Sequence, residues 1–448
     1  MEDTIVAIST TVGLGAISII RLSGVDAIEI VSRVFTKDLT KVSTHTIHYG
    51  FVMDKEDKID EVLVSVMKSP KTFTREDVVE INCHGGIAVT NKILEVLLNN
   101  GARLAEPGEF TKRAFLNGRI DLLEAEATMD LISSESDKAR KISINTLTGE
   151  ASNLIKDLRN ELIQIISNIE VNIDYPEYED VEVLTNDKLL PNISKFKQEL
   201  EEILKKSNDS KVLKAGINVA IIGRPNVGKS SLLNSLLEEE KAIVTCIPGT
   251  TRDIIEGKII LDGIILNIID TAGIRSTEDE VEKIGVEKSL NMINTSDLVL
   301  FMLNNNEELL NDERELLEKL KDKKKIIIVN KIDLEDVLNK KELDNYIEIS
   351  VKENIGINKL KDKIKELFSV GELQINSMTY LSNARSISIL NKVLGYINDA
   401  IKEIKNDSPI DIVELDLKDA WKSLGEIIGE TYTDELLDEL FSRFCLGK

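Results

Sequence analysis

The chain has few residues that form cross-links, and its acidic residues outnumber the cations that bind nucleic acid. Its three cysteines, Cys83, Cys246 and Cys445, lie far apart among 448 residues. A disulfide framework or a zinc site is therefore not expected, and a reducing cytoplasm fits this composition. Lys and Arg number 56 against 79 Asp and Glu, for a formal net charge of −23. That balance argues against a broad RNA-binding surface, so any bound RNA needs a local patch or a basic partner.

Membrane attachment is not expected either. No apolar run approaches the ~20 residues of a membrane span, and Glu2 and Asp3 stand where a signal peptide would be basic. The last four residues occupy the place of a prenylation box, but Gly447 and Lys448 do not suit one. A chain of this length is expected to form roughly two to four domains.

Four motifs follow one another in a fixed order between Gly223 and Asp333. The first, Gly-Arg-Pro-Asn-Val-Gly-Lys-Ser at 223–230, follows a β-branched segment and precedes a helical pattern, as a phosphate-binding loop requires. Gly-Thr-Thr-Arg-Asp at 249–253, Asp-Thr-Ala-Gly at 270–273 and Asn-Lys-Ile-Asp at 330–333 come after it. Together they predict a GTP-binding domain.

Each motif has a predicted task. In the phosphate loop, Lys229 is expected to reach the β and γ phosphate oxygens and Ser230 to bind magnesium. Thr251 would add a hydroxyl to the magnesium once the triphosphate is present, and Asp270 would reach the metal shell. The Gly273 N–H would sense the γ-phosphate.

The motif at 330–333, which we call the base loop, predicts specificity for guanine. Asp333 can accept two hydrogen bonds from guanine that adenine cannot supply. The segment 350–352 fits the last base-contacting loop. The nucleotide-binding residues expected from these motifs are Asn226, Val227, Gly228, Lys229, Ser230, Ser231, Asp270, Thr271, Ala272, Gly273, Asn330, Lys331, Asp333, Ser350, Val351 and Lys352.

The catalytic glutamine of many GTPases has no counterpart here. Ile274 occupies the position after Gly273, and its side chain cannot orient the attacking water. Asn226 offers an amide oxygen beside the phosphates. It either stabilises the loop or holds a monovalent cation that replaces an arginine finger.

The pattern along the chain predicts three domains. Residues 1–118 alternate short β-branched strands with helices and predict an α+β domain. Amphipathic helical patterns at 119–215 and 373–448 flank an α/β P-loop segment at 216–372. The P-loop domain is therefore expected to be inserted into one all-helical domain.

With these motifs in place, the chain resembles the MnmE (TrmE) family of tRNA-modification GTPases over its whole length. Besides the GTPase motifs, the resemblance rests on five short segments that generic GTPases lack. They are Asp3–Ala7, Ile20–Gly24, Ala105–Thr111, Arg113–Gly118 and Phe444–Lys448.

The resemblance implies a fold, a reaction and partners. It implies an N-terminal domain that binds a tetrahydrofolate, such as 5-formyltetrahydrofolate, and forms a homodimer. It also implies a FAD-dependent partner, MnmG. The pair would add an aminomethyl or carboxymethylaminomethyl group to C5 of the wobble uridine in certain tRNAs, with GTP hydrolysis depending on K⁺ and Mg²⁺.

The resemblance also implies residue roles. Arg21, Glu80, Arg119 and Lys448 would surround the folate, with Arg119 standing where some members have lysine. Cys445 would lie close by, as a nucleophile or as part of the pocket wall. Glu282 would orient the attacking water, and Ser230 and Thr251 would bind magnesium. The potassium site would comprise Asn226, Thr245, Ile247 and Thr250, within a loop that also contains Cys246, Pro248, Gly249 and Thr251.

Two other functions remain open from the sequence. A GTPase that assists ribosome assembly would be favoured by a basic RNA-binding C-terminal domain, which is not visible in the sequence. A regulatory G-protein switch would be favoured by a failure to bind any folate.

Overall fold

The computed structural model describes residues 3–174, 186–239, 255–261, 264–269, 293, 296–321, 323–368 and 381–448. Two compact units are formed. The first comprises Met1–Met129, Thr146–Lys197 and Lys392–Lys448, and the second comprises Asp130–Asn145 and Gln198–Asn391. The division into three domains at 118, 215 and 372 stays a prediction.

The first unit contains a six-stranded mixed sheet. The strands are β1 (Ile5–Ile8), β2 (Ile17–Ser23), β3 (Thr46–Asp54), β4 (Asp57–Met67), β5 (Val78–His84) and β6 (Arg103–Leu104), in the order β3-β4-β5-β2-β1-β6. On β4, Val62, Val64 and Val66 are buried while Leu63 is exposed. This alternation, with a period of two, puts one face of the sheet in the core and leaves the other open at β4. At β1 that second face is covered, because Ile5 and Ala7 are buried against Phe110.

Two helices cover the buried face of this sheet. They are α1 (Ala27–Val34) and α2 (Ile87–Asn99), which share an apolar cluster with β4 and β5. The N-terminal part is therefore α+β, as predicted from its strand and helix patterns.

Five further helices follow along the chain. They are α3 (Glu109–Leu116), α4 (Leu122–Ile132), α5 (Asp137–Leu147), α6 (Glu150–Asp174) and α7 (Asn186–Ala215). Between α4 and α5 the helical pattern is interrupted, and the Ser136 hydroxyl accepts a hydrogen bond from the Ala139 N–H at 3.1 Å. Ser136 thus caps the start of α5.

Within the described residues, the second unit contains another six-stranded sheet, and three of its helices follow strands of that sheet. Its strands are β7 (Ile217–Gly223), β8 (Ile255–Leu261), β9 (Ile264–Ile269), β10 (Leu298–Asn304), β11 (Lys325–Asn330) and β12 (Tyr346–Glu348), in the order β12-β11-β10-β7-β9-β8. All neighbouring strands are parallel except β8, which is antiparallel to β9. The helices are α8 (Lys229–Glu239), α9 (Asn311–Lys319) and α10 (Ile357–Phe368).

The parallel pairing determines where this unit can bind a ligand. Met302 lies in register with Gly223, and Asn304 lies in register with Asn330. The carboxyl ends of β7, β10 and β11 therefore meet at one edge of the sheet, where open α/β folds bind their ligands.

The chain ends in three helices, α11 (Ala384–Lys405), α12 (Ile410–Ile428) and α13 (Asp434–Ser442). In the first unit, α12 packs against α6. The guanidinium of Arg159 lies 4.1 Å from the ring centroid of Trp421 and forms an ion pair with Glu430. Among the described residues, no helix is both long enough and apolar enough to cross a membrane.

Candidate functional site

The phosphate loop connects β7 to α8 and has a backbone that most side chains could not adopt. Gly223 and Gly228 have φ values of 152° and 103°, and Asn226 has a φ of 60°. A Cβ at Gly223 would lie 2.5 Å from the Met302 carbonyl oxygen, and one at Gly228 would overlap the side-chain amide of Asn330. Glycine is therefore required at both positions.

Lys229, the first residue of α8, points back into this loop. Its Nζ donates hydrogen bonds to the carbonyl oxygens of Gly223 at 2.6 Å and Arg224 at 2.8 Å. Burial lowers its pKa from the usual 10.5. The two carbonyls hold an ammonium at the N-terminus of a helix, a position where phosphate oxygens could replace them as acceptors.

The base loop is tied to the phosphate loop through Asn330. Its Nδ2 donates to the Val227 carbonyl at 2.7 Å, and its Oδ1 accepts from the Val351 N–H at 3.2 Å. Asp333 accepts a hydrogen bond from the Ser350 hydroxyl at 2.6 Å, and this bond lowers the pKa of the Asp333 carboxyl. Asp333 is thus an ionised acceptor at the exposed end of β11 and suits a guanine base.

The other predicted residues of this site vary in their surroundings. Ser350 is fully buried, whereas the Lys352 side chain is 81% exposed. Ser230 and Ser231 lie in the first turn of α8. Lys331 has a φ of 65° and follows Asn330 at the end of β11.

Part of the predicted site lies outside the described residues. This part comprises the loop at 245–251 that would hold potassium, the motif at 270–273 and the water-orienting candidate at 282. Its residues are Thr245, Cys246, Ile247, Pro248, Gly249, Thr250, Thr251, Asp270, Thr271, Ala272, Gly273 and Glu282. Within the described part, Ser230 offers a hydroxyl that suits magnesium. The Asn226 side chain is exposed and makes no hydrogen bond with another described residue.

A second group of predicted residues meets on the open face of the first unit's sheet. Arg21 on β2 lies opposite Glu80 on β5, and its Nε donates to the Glu80 carboxylate at 2.8 Å. Arg21 also donates from Nη1 to the Gly447 carbonyl at 3.3 Å, and the Ser9 hydroxyl donates to the same oxygen at 3.2 Å. The C-terminal residues therefore lie beside the Arg21–Glu80 pair.

The chain end, residues 445–448, is held by its backbone. The N–H groups of Gly108 and Phe110 donate to the carbonyls of Cys445 at 3.4 Å and Lys448 at 3.2 Å. Gly447 has a φ of 85°, and a Cβ there would lie 2.7 Å from the Ile8 carbonyl. The C-terminal tail, as we call residues 445–448, is thus docked rather than frayed.

Arg119 forms no ion pair with Arg21, Glu80 or the tail in the described part of the chain. Its guanidinium is 5.2 Å from the ring centroid of Phe73, and that of Arg21 is 5.8 Å from the centroid of Phe110. Phe73 packs against the apolar cluster that contains Phe110, so both cations lie over rings that border this one cluster. The Cys445 thiol, in the tail, is exposed.

Two protein-family models match this chain, one over its N-terminal part and one over the rest. The model of the GTP-binding protein TrmE N-terminus matches residues 4–119, and that of the MnmE helical domain matches residues 122–445. The tRNA modification GTPase MnmE of Enterococcus faecalis is 52% identical over 457 residues, which cover 100% of this chain and 98% of that protein.

This chain belongs to the MnmE family of tRNA modification GTPases. The MnmE of Bacillus mycoides is also 52% identical, over 455 residues that cover 100% of this chain and 99% of that protein. The family and the fold class predicted from the motifs are thereby confirmed.

A solved structure covers about a third of the chain. The G domain of the T. maritima FeoB iron transporter is 26% identical and covers 34% of this chain and 98% of that domain, with a TM-score of 0.24.

Some residues at the tail of this MnmE-family chain were not predicted as functional. Gly108, Phe110 and Ser9 contact the tail through a backbone N–H or a hydroxyl. Gly108 and Phe110 belong to the segment 105–111, a family mark, which was the one signal in the sequence that pointed to them.

Proposed function

We propose that this chain hydrolyses GTP and uses the cycle to drive modification of C5 of the wobble uridine in certain tRNAs. The group added would be aminomethyl or carboxymethylaminomethyl. The full-length match to tRNA modification GTPases carries the proposal. The GTP hydrolase class follows from this membership and from the phosphate loop and base loop of the second unit.

In the proposed GTP site, Asp333 and Asn330 select the base and Lys229 binds the phosphates. Lys229 would exchange the Gly223 and Arg224 carbonyls for β and γ phosphate oxygens, since both sets of acceptors lie within reach of one ammonium. Ser230, with Thr251 and Asp270, would hold Mg²⁺, which neutralises charge on the phosphates.

Potassium is proposed to replace an arginine finger. Asn226 would hold it together with Thr245, Ile247 and Thr250, and the cation would supply positive charge beside the γ-phosphate. The exposed, unpaired side chain of Asn226 within the described residues supports this role over loop stabilisation. Glu282 is proposed to orient the attacking water, because Ile274 cannot.

The docked tail and the Arg21–Glu80 pair are proposed to bind the one-carbon donor, a tetrahydrofolate such as 5-formyltetrahydrofolate. Glu80 can accept hydrogen bonds from the amine of a pterin, and Arg21, Arg119 and Lys448 can bind carbonyl and carboxylate oxygens. Cys445 would act there as a nucleophile or line the pocket.

We further propose a homodimer through the N-terminal part. Tyr49 on β3 lies opposite Leu63 on β4, and with Ile47 they expose apolar side chains on the open sheet face, at 54%, 46% and 67%. A sheet edge that presents such a face is suited to burial against another copy. A FAD-dependent partner, MnmG, would complete the tRNA-modifying complex in the cytoplasm and supply basic surface for the RNA.

Nucleoside analysis tests the proposed function. The gene would be deleted in its source organism and restored as the parent, as Lys229→Ala, or with residues 445–448 removed. Mass spectrometry should show the wobble modification restored by the parent and lost in both variants. Full modification in the deletion strain would overturn the proposal. Purified tail-deleted protein should still hydrolyse GTP, because the tail belongs to the first unit.

A further inference from the structure

Arg113 on α3 is fully buried and surrounded by acidic groups. Its Nη2 donates to the carboxylates of Asp3 at 2.7 Å and Glu109 at 3.0 Å. Its Nη1 donates to the Asp3 carbonyl at 2.9 Å and to both oxygens of Glu76, at 3.2 and 3.3 Å. A planar guanidinium can bridge these groups because its donors point in several fixed directions at once.

Glu109 is the partner of Arg113 in the first turn of α3, and its exposed side-chain fraction is 7%. Its other contacts are hydrogen bonds from the Glu106 N–H at 2.8 Å and from Arg103 at 2.5 and 3.1 Å. Burial alone would raise the pKa of Glu109, but these hydrogen bonds and that from Arg113 outweigh it and lower the pKa. The first turn of α3 is therefore held by an ionised carboxylate that accepts hydrogen bonds from Arg113, Arg103 and the Glu106 N–H.

The same turn receives the C-terminal tail. Gly108 and Phe110, on either side of Glu109, donate their N–H groups to Cys445 and Lys448. Gly108 has a φ of 68°, and a Cβ there would lie 2.7 Å from the Phe441 carbonyl. A small movement of this turn would therefore break both hydrogen bonds to the tail.

Other contacts join α3 to the C-terminal helix. Ala114 and Phe115 share an apolar cluster with Phe441 and Phe444, but they lie beyond the first turn of α3. Lys112 forms an ion pair with Asp438 on α13 at 2.6 Å, but the Asp438 side chain is 68% exposed. An exposed pair contributes little to orientation, whereas a buried and multiply bonded guanidinium is rigid.

We propose that Arg113 is a positioning residue for the C-terminal tail. Through Glu109 it fixes the first turn of α3. That turn holds the backbone oxygens of Cys445 and Lys448, and this keeps the Gly447 carbonyl between them beside Arg21. The consequence for tRNA modification rests on the proposed function of the tail, whereas the positioning itself does not.

Carboxypeptidase B, which removes a C-terminal lysine, tests the positioning in the full-length protein. Release of Lys448 would be followed by mass spectrometry in the parent, in Arg113→Lys and in Glu109→Gln. Both variants should release Lys448 roughly tenfold faster, since loss of the directed contacts raises the population in which the tail is undocked. Their GTP hydrolysis should stay at the parent rate.

A matched control is Arg33→Lys on α1. Arg33 forms an exposed ion pair with Glu29 at 2.6 Å, so the same substitution changes a guanidinium in the same unit away from the tail. Its release of Lys448 should equal that of the parent. Circular dichroism would confirm that each variant is folded. If Arg113→Lys does not fold, the release of Lys448 from Glu109→Gln tests the positioning role.

Folded variants that release Lys448 at the parent rate would overturn the positioning role of Arg113. That result would leave the proposed function untouched if removal of residues 445–448 still abolishes tRNA modification. Faster release of Lys448 with unchanged modification would support the positioning and count instead against a role of the tail in the reaction.

Discussion

Asn330 donates a hydrogen bond to the main-chain oxygen of Val227 at 2.7 Å across 103 residues of sequence. The donor belongs to the loop that would read the base, and the acceptor belongs to the loop that would hold the phosphates. Because Asn330 also accepts from the Val351 N–H, a single buried amide fixes three loops. The spacing between the base and phosphate subsites is therefore fixed by contacts within the protein.

Gly228→Ala should strongly weaken the binding of guanine nucleotides. The added Cβ would overlap the Asn330 amide, and a φ of 103° strains any other residue. We expect the affinity for a fluorescent GDP analogue to fall by roughly two orders of magnitude, since the phosphate loop cannot close. Gly395→Ala on α11 is the matched control, because a Cβ there meets no atom within 4 Å. Equal loss in both variants would contradict the explanation.

Guanine selectivity should depend on the pair of Asp333 and Ser350. Asp333→Asn should weaken GTP binding and favour xanthosine triphosphate, whose C2 oxygen can accept from the new amide. Ser350→Ala removes the hydroxyl that orients the carboxylate at 2.6 Å and should weaken GTP binding by about tenfold. Competition assays with ATP, GTP and xanthosine triphosphate measure both effects. Equal binding of ATP and GTP by the parent would refute the guanine assignment.

The sequence predicted the second unit well because its strands are continuous apolar runs next to recognisable motifs. The phosphate loop was expected between a β-branched segment and a helix, and it lies between β7 and α8. For residues 1–118 the sequence predicted strands alternating with helices but not the order of the strands in the sheet, because that order depends on contacts between distant segments.

The candidate site at the tail could be predicted only in part. Arg21, Glu80 and Lys448 came from the family resemblance, and the structure brings the first two to the tail. The hydrogen bonds from Gly108 and Phe110 could not be predicted, because they join backbone groups more than 300 residues apart. Backbone N–H and C=O groups are common to nearly all residue types, so residue identity does not indicate which of them will pair.

GTP hydrolysis should depend on potassium. We expect faster turnover in KCl than in NaCl at equal ionic strength, because Na⁺ is too small for a site built of spaced carbonyls. Asn226→Ala should remove the difference while retaining nucleotide binding. Phosphate release in the two salts, with and without the substitution, measures this. Equal parental rates in both salts would contradict a potassium site.

Arg159→Ala should destabilise the first unit and alter its fluorescence. Arg159 is buried, stacks on Trp421, the one tryptophan of the chain, and pairs with Glu430. Because Glu430 is half exposed, we expect a loss of about 1–3 kcal/mol in the free energy of unfolding. Tryptophan emission during denaturation in urea measures it. Lys392→Ala, a change on α11 that removes a weaker stacking on Tyr396 at 5.7 Å, should cost much less.

Cysteine reactivity should separate Cys83 from Cys445. Burial raises the pKa of the Cys83 thiol to about 11. In a Cys246→Ser protein, iodoacetamide at pH 8.5 should label the exposed Cys445 and spare Cys83. The folded state keeps the Cys83 proton up to about pH 11, whereas the unfolded state loses it near 9.0, so this thiol opposes folding increasingly above pH 9. Rapid labelling of Cys83 at pH 8.5 would contradict its burial.

Residues 130–145 belong to the second unit, and this determines how the GTPase part can be isolated. Ile142 and Leu213 are buried with Ile217 and Val219 in one apolar cluster, and Lys258 on β8 pairs with Glu135 at 2.6 Å. A protein cut to 216–372 would lack Ile142, Leu213 and Glu135. Its sheet would expose apolar side chains to water, and the protein would tend to aggregate. The GTPase part of this chain is better excised with its two flanking helical pieces than by its motifs alone.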